Sequence, residues 1–93
     1  MSSDNLDDTY YAMQNFRQLL TQFNDSLKSS VVELEVQHDR VSPQWQDQWR
    51  KEYDAIWGPF EEMMKHYVGT EGPNYLEFLA LKSEAMRRYL YGS

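Results

Sequence analysis

Cysteine is absent from the 93 residues, which excludes disulfides, thiol catalysis and thiolate-held zinc or iron–sulfur centres. Basic residues are few: nine Lys and Arg stand against fifteen Asp and Glu, for a net charge of −6 and a pI near 4.7. Phosphate contact needs clustered bases and these are scattered, so the composition argues against a general nucleic-acid binder. No apolar run approaches the ~18 residues that a membrane-spanning helix requires. The start, Met-Ser-Ser-Asp-Asn-Leu-Asp-Asp, has neither a basic leader nor an apolar core, and no Sec-type signal is expected. The four glycines form no phosphate loop and no Gly-x-Ser-x-Gly elbow. A chain this short makes one small domain that must be compact, largely helical, or completed by a partner.

What is present is helical periodicity, divided by three prolines at 43, 59 and 73. Ser42-Pro43 reads as an N-cap followed by a ring whose fixed φ suits a first helical turn, and Val68-Gly69 as a helix end. In the first segment Leu6, Met13, Leu20, Leu27, Leu34 and Val41 recur every seven residues, with Phe16 and Phe23 in the intervening seam positions. That pattern outweighs the short alternation of 31–36, the one strand candidate, and predicts a helix over residues 5–40, about 50 Å long. Seven acids face two bases over residues 1–39. A helix so long and acidic needs a partner along its length.

The second segment, 43–68, places Trp49, Tyr53, Ile56, Phe60, Met63 and Tyr67 at alternating spacings of four and three. With Trp45, Trp57 and Met64 they fall in one core-facing stripe. The stripe stays in register across Gly58-Pro59, which predicts one helix kinked at Pro59, with a break there as the alternative. The third segment, 74–91, opens with Asn74-Tyr75-Leu76-Glu77, a capping-box relative, and closes at Gly92. It is apolar over more than half its circumference, so it lies between neighbours or presents an oligomer face through Phe78, Leu81, Lys82, Ala85 and Tyr89. It packs on the overhang of the first helix or folds back across the hairpin; both stay open.

Chemistry-bearing patterns are sparse. Glu35 and His38 are three apart, the unit of carboxylate-bridged di-iron bundles, but such a centre needs two units and further Glu ligands. The nearest second pair, Glu62 and His66, has spacing four. His38 therefore reads as a neutral core or hairpin-neck histidine in the Trp45 and Trp49 region. Glu61 with Lys65 and Glu84 with Arg88 read as surface i,i+4 pairs. The row Trp45, Trp49, Tyr53, Trp57 lies inside the stripe and reads as core. It drifts about 40° per step, which carries Tyr53 and Trp57 toward the stripe's edge, where large aromatics anchor interfaces.

Two stretches carry a resemblance: Leu20 to Val41 leading into Ser42-Pro43-Gln44-Trp45-Gln46-Asp47, and Tyr67-Val68-Gly69-Thr70-Glu71. Over residues 6–67 the chain resembles the small helical-hairpin proteins of bacterial type VII secretion, the Trp-x-Gly family. Asp47 stands where that family has Gly. The resemblance implies a hairpin without enzymatic activity that dimerises, exported or serving as an adaptor for larger partners, and it makes Tyr67 and Glu71 an export signal of the Tyr-x-x-x-Asp/Glu form.

The expectation is thus an all-α single domain, a long antiparallel helical hairpin with a third C-terminal helix forming a three-helix bundle. Its function is a self-associating protein–protein interaction module, not an enzyme, with no catalytic residues, cofactor, metal, nucleic acid or membrane span. Trp45, Asp47, Trp49, Tyr53 and Trp57 are its turn and partner residues. It resides in the cytoplasm or leaves by a non-Sec route. An acidic inhibitor of the immunity-protein or antitoxin type is the rival reading, and a metallo-bundle enzyme a minor one.

Overall fold

A computed structural model describes residues 3–92; Met1, Ser2 and Ser93 lie outside them. The chain is all-α, with no strand among the described residues: α1 is Ser3–Val41, a 3-10 turn covers Ser42–Gln44, α2 is Asp47–His66, a π turn covers Tyr67–Glu71, and α3 is Gly72–Tyr91. The 31–36 stretch is helical, as the longer periodicity predicts. The backbone stays helical at both ends of the π turn, with Tyr67 at φ −62°, ψ −51° and Gly72 at φ −60°, ψ −53°. Residues 47–91 therefore form one continuous arm, and the molecule is a hairpin of two long helices measuring 65 × 20 × 18 Å. The segment expected as a third helix is helical, but it continues the second arm along the N-terminal half of α1 instead of completing a three-helix bundle.

The boundaries differ from expectation for local reasons. Pro43 opens the 3-10 turn, not α2, and Ser42 is buried, with its carbonyl accepting from Trp45 N–H at 3.1 Å and from an Arg50 Nη at 2.8 Å. α2 begins only at Asp47, whose φ of 54° lies in the left-handed region. Pro59 sits inside α2 without ending it. Gly69 does not cap a helix end: the π turn carries the chain past it, and Gly72 N–H donates to the Tyr67 carbonyl five residues back. Asn74 caps nothing, since α3 is already under way at Gly72. The arm closes at Gly92, φ 74°, whose N–H donates to Arg88 at 2.9 Å.

The π turn has a cause in the register of the seam. On the second arm the residues turned toward α1 include Tyr53, Trp57, Glu61, Met64, Val68, Gly72, Leu76, Leu79, Ser83 and Leu90, all buried or half-buried. Up to Ser83 their spacings are threes and fours, with two successive fours from Tyr53 to Glu61 and three from Met64 to Leu76. An α-helix over-rotates on such a run, and one wide turn absorbs the surplus and restores the seam. Gly72 makes room there: a Cβ on it would lie 3.1 Å from Asn24 Nδ2 and 3.1 Å from a Tyr67 ring carbon.

On α1 the seam is Leu6, Tyr10, Met13, Leu20, Leu27, Val31, Glu35 and His38, with polar Gln14, Arg17 and Asn24 interleaved. The heptad residues hold their expected place as far as Leu27; Leu34 and Val41, and also Phe16 and Phe23, are exposed. A straight helix of 3.6 residues per turn drifts about 20° per heptad, so a strict seven-residue repeat leaves the contact line. The same displacement affects α2. Trp49, Ile56, Phe60 and Met63, expected in the core, are exposed, and Tyr53 and Trp57, expected toward the edge, face α1. Among the described residues the buried apolar side chains are Val31, Met64 and Leu79.

Candidate protein-docking face

The hairpin tip is built on a column of rings. His38 lies flat on Trp57, centroids 4.3 Å apart and planes 9° from parallel, and flat on Tyr53 at 5.3 Å and 5°. Tyr53 in turn stacks on Trp45 at 5.3 Å. The Tyr53 hydroxyl and His38 Nδ1 are hydrogen-bonded at 2.5 Å. The histidine thus stands at the hairpin neck as expected, against Tyr53 and Trp57 instead of Trp45 and Trp49. Lys65 Nζ binds Glu35 across the arms at 2.8 Å and Glu61 on its own helix at 3.6 Å. That bond from Lys65 holds the Glu35 carboxyl below the ordinary carboxylate range, and Glu35 in return holds the Lys65 ammonium above its own. Glu35 is thus bonded to Lys65, and His38 to Tyr53. No group of three or more candidate ligands gathers among the described residues.

Farther along, the Tyr67 hydroxyl donates to Asn24 Oδ1 at 2.7 Å while its ring meets Phe23 edge-on at 6.2 Å. Phe16 meets Tyr75 the same way at 6.0 Å. Ser83, buried, donates to Gln14 Oε1 at 2.5 Å, and the same oxygen accepts from Arg17. At the open end Tyr10 packs edge-on against Tyr91, whose hydroxyl lies 3.3 Å from that of Tyr11 and 3.4 Å from Asp7 Oδ1.

These cross-arm contacts fix which flanks adjoin. Phe16 and Phe23 share a flank of α1 with Leu34 and Val41, and Tyr67 shares one of the second arm with Ile56, Phe60 and Met63. Past the π turn Tyr75, Phe78, Lys82, Ala85 and Tyr89 continue it. Because Phe16 meets Tyr75 and Phe23 meets Tyr67, the two flanks lie side by side on one face of the hairpin. Exposure there is high for large apolar groups: 55% at Phe23, 66% at Trp49, 75% at Ile56. The opposite face holds an open groove of about 700 Å³ lined by Gln14, Arg17, Gln18, Thr21, Gln22, Leu76, Glu77 and Ala80, and farther along α1 the exposed Val32 and Val36.

The expected site residues distribute as follows. Trp45, Trp49, Tyr53 and Trp57 all lie at the tip, the first two exposed and the last two in the ring column. Phe78, Leu81, Lys82, Ala85 and Tyr89 are all exposed on α3. Tyr67 is tied to α1, while Glu71 is exposed with its carboxylate 3.8 Å from His66 Nε2. Sequence reading missed the contribution of α1 to the exposed face, for which the drift of the heptad was the available signal. No helix among the described residues is long and apolar enough to cross a membrane. Comparison of the chain with family models, with curated proteins and with solved structures gives no significant match.

Proposed function

We propose that the protein is a non-enzymatic protein–protein interaction module that self-associates through the apolar face of its hairpin. The observation that carries this is the surface left uncovered. The accessible area is 7141 Å², against about 5,700 Å² for a compact monomer of this mass. The surplus exceeds the ~800 Å² that each partner contributes to a standard interface. An amphipathic hairpin stacked on another gives a four-helix arrangement that covers both faces at once.

The functional class is that implied by resemblance to the Trp-x-Gly proteins of bacterial type VII secretion: a cytoplasmic adaptor, or a protein exported by a non-Sec route. Two features support it. The two-arm hairpin is the architecture the resemblance implies. Asp47, at the position of that family's glycine, adopts a backbone conformation that glycine favours, φ 54°. Tyr67 and Glu71 stand as the export signal of this reading. The acidic-inhibitor alternative ranks behind it, because Glu35, Asp54, Glu61 and Glu84 are engaged by bases of the same chain.

Light scattering over a concentration series at low and high salt tests the proposal. A dimer that persists in high salt is expected, since apolar burial is not screened. A monomer at every concentration overturns self-association.

A further inference from the structure

We infer that Trp45, Trp49, Glu52, Tyr53 and Ile56 form a receptor for an alkylammonium side chain, and that its occupant is Lys82 of a second copy laid antiparallel on the apolar face. The inference rests on the self-association reading above and names the contact that sets its register.

The receptor is a concavity of about 240 Å³ lined by those five residues. It adjoins a second of about 390 Å³ lined by Gln44, Gln46 and the same two indoles. The ring faces open to a cation there are those of the indoles, since Tyr53 is already stacked on Trp45 and His38; the apolar walls take an alkyl stem, and Glu52 at the rim supplies a counter-charge. The hollow is set before any ligand arrives, because Trp45 is braced on Tyr53 at 5.3 Å and Tyr53 on His38 at 5.3 Å. Preorganised rings give up little entropy on binding. Glu52 accepts a bond from the Gln48 amide at 3.3 Å and has no ion pair among the described residues.

The occupant follows from charge and position. By helical phase, Lys82 is the one cation on the apolar flank of the second arm among the described residues. It lies 5.5 Å over the ring of Phe78 and has no carboxylate partner there. The second arm runs from residue 47 to residue 91, so its middle is at Gly69. A two-fold axis crossing the arm at that point sets Ile56 of one copy opposite Lys82 of the other. Glu52 is then one helical turn, about 5.4 Å, away, within the reach of a lysine stem. The arrangement is isologous, so the contact forms twice. The same axis sets Trp49 of one copy opposite Tyr89 of the other, two large exposed rings.

The test uses the full chain in four forms, wild type, Lys82→Glu, Glu52→Lys and the double exchange, with dimer dissociation constants from sedimentation. Both positions are exposed, so folding is checked by circular dichroism alone. Each single variant is expected to weaken the dimer at least about tenfold, and the double exchange to recover most of that loss. Because the chain has no cysteine, Glu52→Cys with Lys82→Cys should be joined between copies by a short bismaleimide, and Glu52→Cys alone should not. A dimer of unchanged affinity in both single variants, or ready cross-linking through residue 52 alone, overturns the receptor and leaves self-association standing. A wild type that stays monomeric overturns both.

Discussion

His38 and Trp57 lie face to face across the hairpin neck, ring centroids 4.3 Å apart. The contact joins the end of α1 to the middle of α2 and divides the aromatic row by function. Trp57 bears on the opposite arm, while Trp49, two turns away, is 66% exposed. Trp57→Ala is therefore expected to cost about 3 kcal/mol of unfolding free energy, and Trp49→Ala less than about 1 kcal/mol in dilute monomer. Urea unfolding of both variants checks the difference, and equal costs would mean that the ring column does not hold the neck.

The helical class and a chain reversal near Ser42-Pro43 were legible in the sequence, because seven-residue recurrence and the Pro43 mark are local signals; that α2 starts only at Asp47 was not. The choice of contact line was not. Leu34 and Phe23 are as apolar as Leu20, and which of them faces the partner arm depends on the twist accumulated along a straight helix. The continuity of the second arm was hidden for a related reason. Gly69 reads as a stop by propensity, but Gly72 packs against Asn24 and Tyr67, and tertiary contact carries the helix through. The docking face was visible only as an apolar surplus on the last helix, since Phe16 and Phe23 had been assigned to the seam.

Gly69 in the π turn and Gly72 just after it should respond differently to a methyl group. A Cβ on Gly69 meets nothing within 4 Å, whereas one on Gly72 meets Asn24 and the Tyr67 ring at 3.1 Å. Gly69→Ala removes backbone freedom from the unfolded chain and should stabilise by about 0.5–1 kcal/mol. Gly72→Ala gains the same term but must displace Asn24 or Tyr67, and is expected to show no gain or a net loss. Thermal unfolding of the pair reads this directly; a stabilised Gly72→Ala would mean that the arms separate there at no cost.

Alkali should loosen the open end. The hydrogen bond to Tyr11, then burial and the nearby Asp7 charge, push the Tyr91 phenol up to about 12. An unfolded tyrosine ionises near pH ~10. The folded state thus favours the neutral phenol: its contribution is complete below about pH 10 and is lost as pH rises toward 12. Lys65, raised by Glu35, adds to the decline in the same direction. Urea midpoints measured across that range should fall for the wild type and fall less for Tyr91→Phe. Parallel curves would remove Tyr91 from the account.

Asp47 carries the one positive φ among the described non-glycine residues, 54°, at the first residue of α2. A side chain in that region crowds the backbone, by about 1 kcal/mol for an ordinary residue and less for Asp or Asn, which tolerate it best. Glycine adopts it freely but is more disordered when unfolded, and removing Asp47 also takes a favourable negative charge from the first turn of α2. These terms oppose one another, so Asp47→Gly should change stability by less than about 0.5 kcal/mol in either direction. Asp47→Val, with a branched Cβ in the same conformation, should lose about 1–2 kcal/mol. Chemical denaturation of the two variants settles it: if valine is tolerated as well as glycine, the turn relaxes to another conformation and the likeness of Asp47 to a family glycine has no physical basis.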